Sequence, residues 1–218
     1  MERDFWLERW ENNQIGFHQD EFSPYLIDHW AVLGAKTGCQ VFVPMAGKTK
    51  DMLWLANEKH KVLGIELSEI AVDAFFKENN LKADKSDIGK HIQYQTDDIN
   101  FLCGDFFELT ADDTRDVKAV FDRASMIAMP PQLRKKYADH MAKLLVSGTE
   151  ILLVSMEYAG GTMSGPPFSV DEESIRALYS DHFTIQLRET FDVLEQNAHF
   201  KDRGLTRMIE KVYQLTRR

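Results

Sequence analysis

The chain is poor in the residues that bind metals or cross-link a fold. Its two cysteines, Cys39 and Cys103, form no Cys-x-x-Cys pair, and its seven histidines form no His-x-x-x-His pair. Those absences remove the usual zinc spacings, so no metal site is expected. The opening residues Met1-Glu-Arg-Asp-Phe-Trp-Leu-Glu-Arg-Trp10 are too charged for a signal peptide, so the cysteines are expected to be reduced and the chain cytoplasmic. No apolar run approaches the roughly 18 residues of a membrane span, so no membrane partner is expected. Positive charge is also in deficit. With 26 Lys and Arg against 35 Asp and Glu, the formal net charge is −9, which argues against a nucleic-acid partner because phosphate binding needs a basic face. There is no Gly-x-Gly-x-x-Gly dinucleotide fingerprint. Gly47-Lys48-Thr49 is not a phosphate loop, because Phe42 rather than Gly stands five residues before Gly47. Internal repeats and low-complexity tracts are absent as well.

What remains is an ordinary globular composition. A chain of 218 residues, 44% hydrophobic and 28% charged, is expected to form one domain with a substantial core, 1–218. Helices are expected at 3–12, 24–33, 49–59, 68–79, 131–145 and 171–180. Strands are expected at 40–45, 61–66, 92–96, 99–103, 117–122, 150–156, 183–190 and 208–215. Residues 80–90 and 160–167 read as loops. Strands alternating with helices predict an α/β fold, a mostly parallel sheet with helices on both faces. The last two strands have no helix between them, so one of them is expected to be antiparallel.

The segment Val41-Phe-Val-Pro-Met45-Ala-Gly47-Lys48-Thr-Lys-Asp51, followed by Val62-Leu-Gly-Ile-Glu66, reads as strand, tight turn, helix and strand. A carboxylate stands at the tip of the second strand. A turn glycine permits close approach of backbone to a ligand, and an acidic residue about 20 positions on can accept both hydroxyls of a ribose. Nucleoside binding without a pyrophosphate cradle points to S-adenosylmethionine. The plain alternative for Glu66 is a solvated strand end or a cap for the helix that follows Ser68.

Other strand ends carry further candidates. In Cys103-Gly104-Asp105-Phe106-Phe107, Asp105 can accept from an adenine amino group and Phe106 can cover a ring face; the alternative is a turn with two core phenylalanines. Arg123 follows Asp122 at the next strand end. It can stabilise an anion but cannot act as a base, and the alternative is an internal ion pair. Trp6 and Trp10 share a helix face. Trp10 and Phe17 can close over a sulfonium, whereas a plain packing role is the alternative for Trp6. His18 reads as a cap or a metal ligand, and the missing metal spacings reject the second. Gly165-Pro166-Pro167-Phe168 is a stiff apolar wall suited to a flat aromatic substrate, or simply a turn.

Together these residues resemble the thiopurine S-methyltransferase family, in its bacterial form. The likeness rests on Trp6-x-x-x-Trp10, Ile15-Gly-Phe17-His18, Val43-Pro-x-x-Gly47-Lys48, Asp51-Met-x-Trp54-Leu, Gly64-x-Glu66-Leu-Ser-Glu, Phe106-Phe107, Asp122-Arg123, Tyr158 and Gly165-Pro-Pro-Phe168. It runs from the first helix to the C-terminus. It implies a class I S-adenosylmethionine-dependent methyltransferase (Rossmann-like) sheet and methylation of a small-molecule thiol. It implies cofactor contacts at Trp10, Met45, Gly47, Glu66, Asp105, Phe106 and Arg123. Substrate contacts are implied at Phe17, His18, Arg123, Pro166 and Pro167, with Arg123 the catalytic cation. Residues 1–33 are expected to form a helical lid, and the enzyme to be a monomer. Met45-Ala46 departs from the family's usual Leu-Cys, and in 196–203 neither His199 nor Arg203 aligns clearly with a substrate-side arginine of some members.

The chemistry this implies is modest in its demands. Aromatic thiols are acidic enough to be largely ionised near neutral pH, so alignment and a cation near the sulfur suffice. Two other readings are open at this stage. One is a related methyltransferase for halide, small thiols or inorganic selenium and tellurium species. The other is a nucleoside-binding regulatory protein without turnover.

Overall fold

The computed structural model describes residues 3–159 and 163–218. The expected loop at 160–167 therefore lies partly outside the described residues. The described residues build one sheet of nine strands: β1 (Gln40–Val43), β2 (Lys61–Glu66), β3 (Asp84–Asp87), β4 (Ile92–Gln95), β5 (Ile99–Cys103), β6 (Val117–Asp122), β7 (Glu150–Glu157), β8 (Phe183–Asp192) and β9 (Ile209–Arg217). Their order is β3-β4-β5-β2-β1-β6-β7-β9-β8. The five strands from β5 to β7 are parallel neighbours throughout. β9 runs antiparallel to both β7 and β8, which is the reversed strand expected at the C-terminal end. At the other edge β4 is antiparallel to β5 and to β3.

The helices are α1 (Arg3–Glu11), α2 (Pro24–His29), α3 (Asp51–Asn57), α4 (Glu69–Glu78), α5 (Ser125–Ala128), α6 (Pro131–Leu144), α7 (Glu172–Tyr179) and α8 (Ala198–Asp202). Strand alternation explains the two layers. In β1, Phe42 faces one core with Leu63, Met126, Tyr137, Met141 and Tyr179, whereas Val41 and Val43 face the other with Met52, Leu55, Val72 and Phe75. Both faces of the central strands are covered, hence their continuous apolar runs.

Four local expectations need correction. Residues 84–87 are a strand rather than loop; Asp-Lys-Ser-Asp is exposed at every position, so no apolar alternation marks it, as befits a charged edge. The helix expected over 24–33 is α2 followed by a 3-10 turn at Trp30–Leu33 that ends at Gly34 with φ 61°. α5 and α8, of four and five residues, are too short to show a helical period. Finally, β8 reaches Asp192 and its register slips between Leu187 and Glu189, a bulge that alternation alone does not reveal.

Strand order reverses at β1: the chain passes from β1 to β2 on one side, and later strands continue on the other side through β6. A crevice opens outside the carboxyl ends of the strands at such a point. The segments carrying the sequence candidates all converge there.

Candidate active site

The turn after β1 is left-handed at two positions, Met45 with φ 47° and Gly47 with φ 56°. Such a conformation is costly for a non-glycine residue and gathers at functional sites. Ala46 N–H donates to Ile65 C=O at 2.9 Å, holding the turn against the end of β2. Gly47 N–H donates to Glu66 Oε2 at 2.8 Å, and Ser68 N–H donates to Glu66 Oε1 at 2.9 Å. A Cβ at position 47 would lie 3.3 Å from the Trp10 ring, so glycine lets the N-terminal helix sit directly on the turn. Glu66 is buried. Burial pushes its carboxyl above the ordinary range, and the N–H groups of Ser68, Gly47 and Leu67 pull the other way.

At the end of β5, Asp105 caps the following turn by accepting from Phe107 N–H at 2.8 Å. Phe106 is buried, 4.9 Å from Tyr137 and 6.3 Å from Phe42 between ring centroids. It is a core residue and a cleft wall at once. Beside it, the Lys136 ammonium stands 4.0 Å over the Phe107 ring.

Arg123 follows β6. Its Nη1 donates to Gln19 Oε1 at 2.6 Å, and its Nε lies 3.8 Å from Asp51 Oδ2. Asp51 is buried and also accepts from Ser23 N–H at 2.7 Å and from the Thr49 hydroxyl at 2.8 Å. The internal ion pair is therefore real but long, and the guanidinium also lines the cleft. Asp122 points into the core, where Tyr137 O–H donates to its Oδ2 at 2.7 Å.

The roof is aromatic. Phe17 packs edge-on against Trp6 at 5.4 Å and Trp10 at 5.6 Å, yet it is 45% exposed and lines the cleft. The opposite wall is the Gly165–Pro167 turn, anchored by Tyr158 O–H donating to Pro167 C=O at 2.7 Å. Phe168 N–H donates to Ile127 C=O, also at 2.7 Å.

These parts enclose one cleft of about 880 Å³. Of the sequence candidates, Trp10, Met45, Glu66, Asp105, Phe106, Arg123, Phe17, Pro166 and Pro167 line it. Gly47 does not; it lies behind the wall, bonded to Glu66 and covered by Trp10. Nor does His18, which sits between cleft residues Phe17 and Gln19 but turns away, its Nε2 3.3 Å from Asp20 Oδ1. Burial first, and then Lys48, lower its pKa. Lys48 itself is taken by Glu78 at 2.8 Å. Both His199 and Arg203 reach the cleft, with Asn197 and Phe200. Lining residues outside every sequence motif include Gln19 in a polar stretch, Lys136 on the polar face of α6, and Glu210 inside β9. Glu210 had one legible trait, a carboxylate set among apolar strand residues.

The donor set suits an adenosine-bearing sulfonium. Glu66 and Asp105 supply acceptors at two adjacent strand ends, Met45 of the β1 turn reaches the cleft, and Trp10 and Phe17 offer aromatic faces to a cation. Among the described residues no group of three His, Cys, Asp or Glu side chains is placed to hold a metal ion. No helix of the described residues is long and apolar enough to cross a membrane.

Comparison with known proteins agrees with this geometry. The family model of thiopurine S-methyltransferase matches residues 1–218. A thiopurine S-methyltransferase of Nitrosospira multiformis is 44% identical over 218 residues, covering 100% of this chain and 99% of that protein. One from Azotobacter vinelandii is 43% identical over 218 residues, with 100% of both chains covered. Among solved structures, the chain is similar to the 1,6-didemethyltoxoflavin-N1-methyltransferase of Burkholderia thailandensis with bound 1,6-didemethyltoxoflavin and S-adenosylhomocysteine. There the TM-score is 0.67 at 16% identity, over 98% of this chain and 87% of that one. A SAM-dependent methyltransferase of Anabaena variabilis gives a TM-score of 0.66 at 13% identity, over 99% and 95% of the chains.

Proposed function

The chain belongs to the thiopurine S-methyltransferase family, and from that membership we propose how its own residues carry out an S-adenosylmethionine-dependent thiol methylation. S-adenosylmethionine, when bound, supplies an electrophilic methyl group on a positively charged sulfur. Glu66 would hold the ribose hydroxyls, Asp105 and Phe106 the adenine, and Trp10 with the Met45 turn the amino-acid side. Phe17 and the Pro166–Pro167 wall would clamp a flat aromatic or heteroaromatic thiol between apolar faces. Arg123 would stand near the reacting sulfur and favour its thiolate form. The rest of the rate comes from alignment and from excluding water.

One observation supports this reading above the others: Arg123 is a cation in the same cleft as Glu66, Phe17 and the Pro166–Pro167 wall. A site for halide or an oxidised metalloid needs no long apolar wall for a ring. The testing experiment is transfer of a labelled methyl group from S-adenosylmethionine to a panel of thiophenols and heteroaryl thiols, beside halide, selenite and tellurite. Preferred turnover of the inorganic acceptors would overturn the aromatic-thiol reading, and no turnover at all would favour a regulatory role.

Residues 1–33 act as a lid in this proposal, because they carry Trp6, Trp10, Phe17 and Gln19 to the cleft from outside the sheet. The enzyme is proposed to work as a cytoplasmic monomer without nucleic acid. Cys39 and Cys103 are free thiols, and the net charge is −9.

A further inference from the structure

The thiol chemistry described so far uses no base, because ionised thiols need none. Substrates with less acidic thiols, and heteroaryl thiols that rest as thione tautomers with a ring N–H, arrive carrying a proton. Arg123 cannot take it. Among the described residues the cleft is lined by three carboxylates, and two of them are bound to backbone N–H groups: Glu66 with Gly47 and Ser68, and Asp105 with Phe107. The third is Glu210.

Glu210 stands on β9 opposite Met156 of β7 and Phe191 of β8. Met156 also lines the cleft, and β7 and β9 lie across β1 and β6 from the β2 and β5 ends that carry Glu66 and Asp105, so this carboxylate stands away from the proposed adenosine end. Tyr25 O–H, from α2, donates to Glu210 Oε2. The Tyr25 ring is itself fixed 5.1 Å from Phe191. The neighbouring charges on the strands are spent elsewhere: Lys211 pairs with Glu157 at 2.8 Å, and adjacent strand residues point to opposite faces. On α2, His29 lies 3.4 Å from Glu189. The cations that line the same cleft as Glu210 are Arg3, Arg9, Arg123, Lys136 and Arg203, and His199 lines it as well.

We propose that Glu210 is the proton acceptor for substrates that enter the cleft protonated, with Tyr25 holding the carboxylate in place and Arg123 receiving the resulting thiolate. The inference rests on the thiol-methylation reading given above. In the step, the S–H bond, or the N–H bond of the thione, breaks; its electron pair stays on the substrate and becomes sulfur-centred. The proton forms a new O–H bond on Glu210, which returns it to water once the product has left. Burial raises the Glu210 carboxyl above its ordinary range, while the Tyr25 hydrogen bond and Arg123 lower it, which brings a base closer to working pH.

The test is the pH profile of kcat/KM for Glu210→Gln, a near-isosteric change that still lets Tyr25 donate. Two thiols are compared, one ionised over the whole range and one with a thiol pKa well above neutrality. For the ionised thiol the variant should match the parent within about 2-fold. For the protonated thiol it should lose on the order of 100-fold below the thiol pKa, with the deficit closing above that pKa. Tyr25→Phe should move the acid limb of the protonated-thiol profile to higher pH, because the carboxylate loses a hydrogen bond that favours its charged form. A loss equal for both thiols at every pH, no loss with the protonated thiol, or an acid limb unmoved in Tyr25→Phe would overturn the proposal. Failure of the parent protein to methylate even the ionised thiol would instead defeat the thiol reading, so the two failures are separable.

Discussion

The Arg123 guanidinium donates to Gln19 Oε1 at 2.6 Å, joining residues 104 apart in the chain. Through this bond the proposed catalytic cation is aimed by the N-terminal segment, not only by the strand end that carries it. Asp51 repeats the link from the other side, because it faces Arg123 Nε and accepts from Ser23 N–H. If the N-terminal segment closes as proposed, the same contacts orient Arg123.

Arg123 gives the first prediction. Arg123→Lys keeps the charge and loses the planar fork, so it should retain part of the activity. Arg123→Met should lose more, and its deficit in kcat/KM should grow as the pKa of a substituted thiophenol rises. Rates across such a series at saturating S-adenosylmethionine check this. A deficit equal for all thiols would reduce Arg123 to a structural role.

Glu66 should carry cofactor affinity. Glu66→Ala removes charge-assisted hydrogen bonds worth about 1.5–3 kcal/mol, so the Kd for S-adenosylhomocysteine should rise about 10- to 100-fold. Calorimetry reads this directly. The variant also releases the Gly47 and Ser68 N–H groups, so circular dichroism should accompany it to show an intact fold.

The lid should order on binding. Amide exchange over residues 10–18 should slow when S-adenosylhomocysteine is added, and slow less in Gln19→Ala, which cuts the tie to Arg123. Equal exchange with and without ligand would leave these residues as ordinary packing.

Asp122 predicts a pH dependence of stability. Burial raises its carboxyl pKa in the fold, against the hydrogen bonds from Tyr137 and Ser125 that lower it. A raised native pKa means the folded state holds the proton more tightly than the unfolded chain. The resulting stabilisation is full below the unfolded carboxyl pKa of about 4 and is lost as pH rises through the native value. Asp122→Asn has no proton to lose, so its Tm relative to the parent should be higher at pH 8 than at pH 4. Thermal melts at the two pH values check the sign.

The sequence by itself determined the alternating architecture, the reversed C-terminal strand and the strand-end candidates. Buried parallel strands need continuous apolar runs, and ligand residues must follow them at turns; both leave local marks, as in Val41–Glu66. The tertiary structure decided which of those residues share a cavity. His18 and Phe17 are neighbours in the chain, yet only Phe17 faces the cleft, because the turn sends adjacent side chains apart. Gly47 was legible as a turn glycine, but its duty toward Trp10 follows only from where α1 lands. The charged edge strand 84–87 left no apolar period to read, since both its faces meet water. Glu210 and Gln19 lay outside every motif. Their importance comes from contacts with Tyr25 and Arg123, 185 and 104 residues away, and no local pattern encodes a pairing set by the order of strands in a sheet.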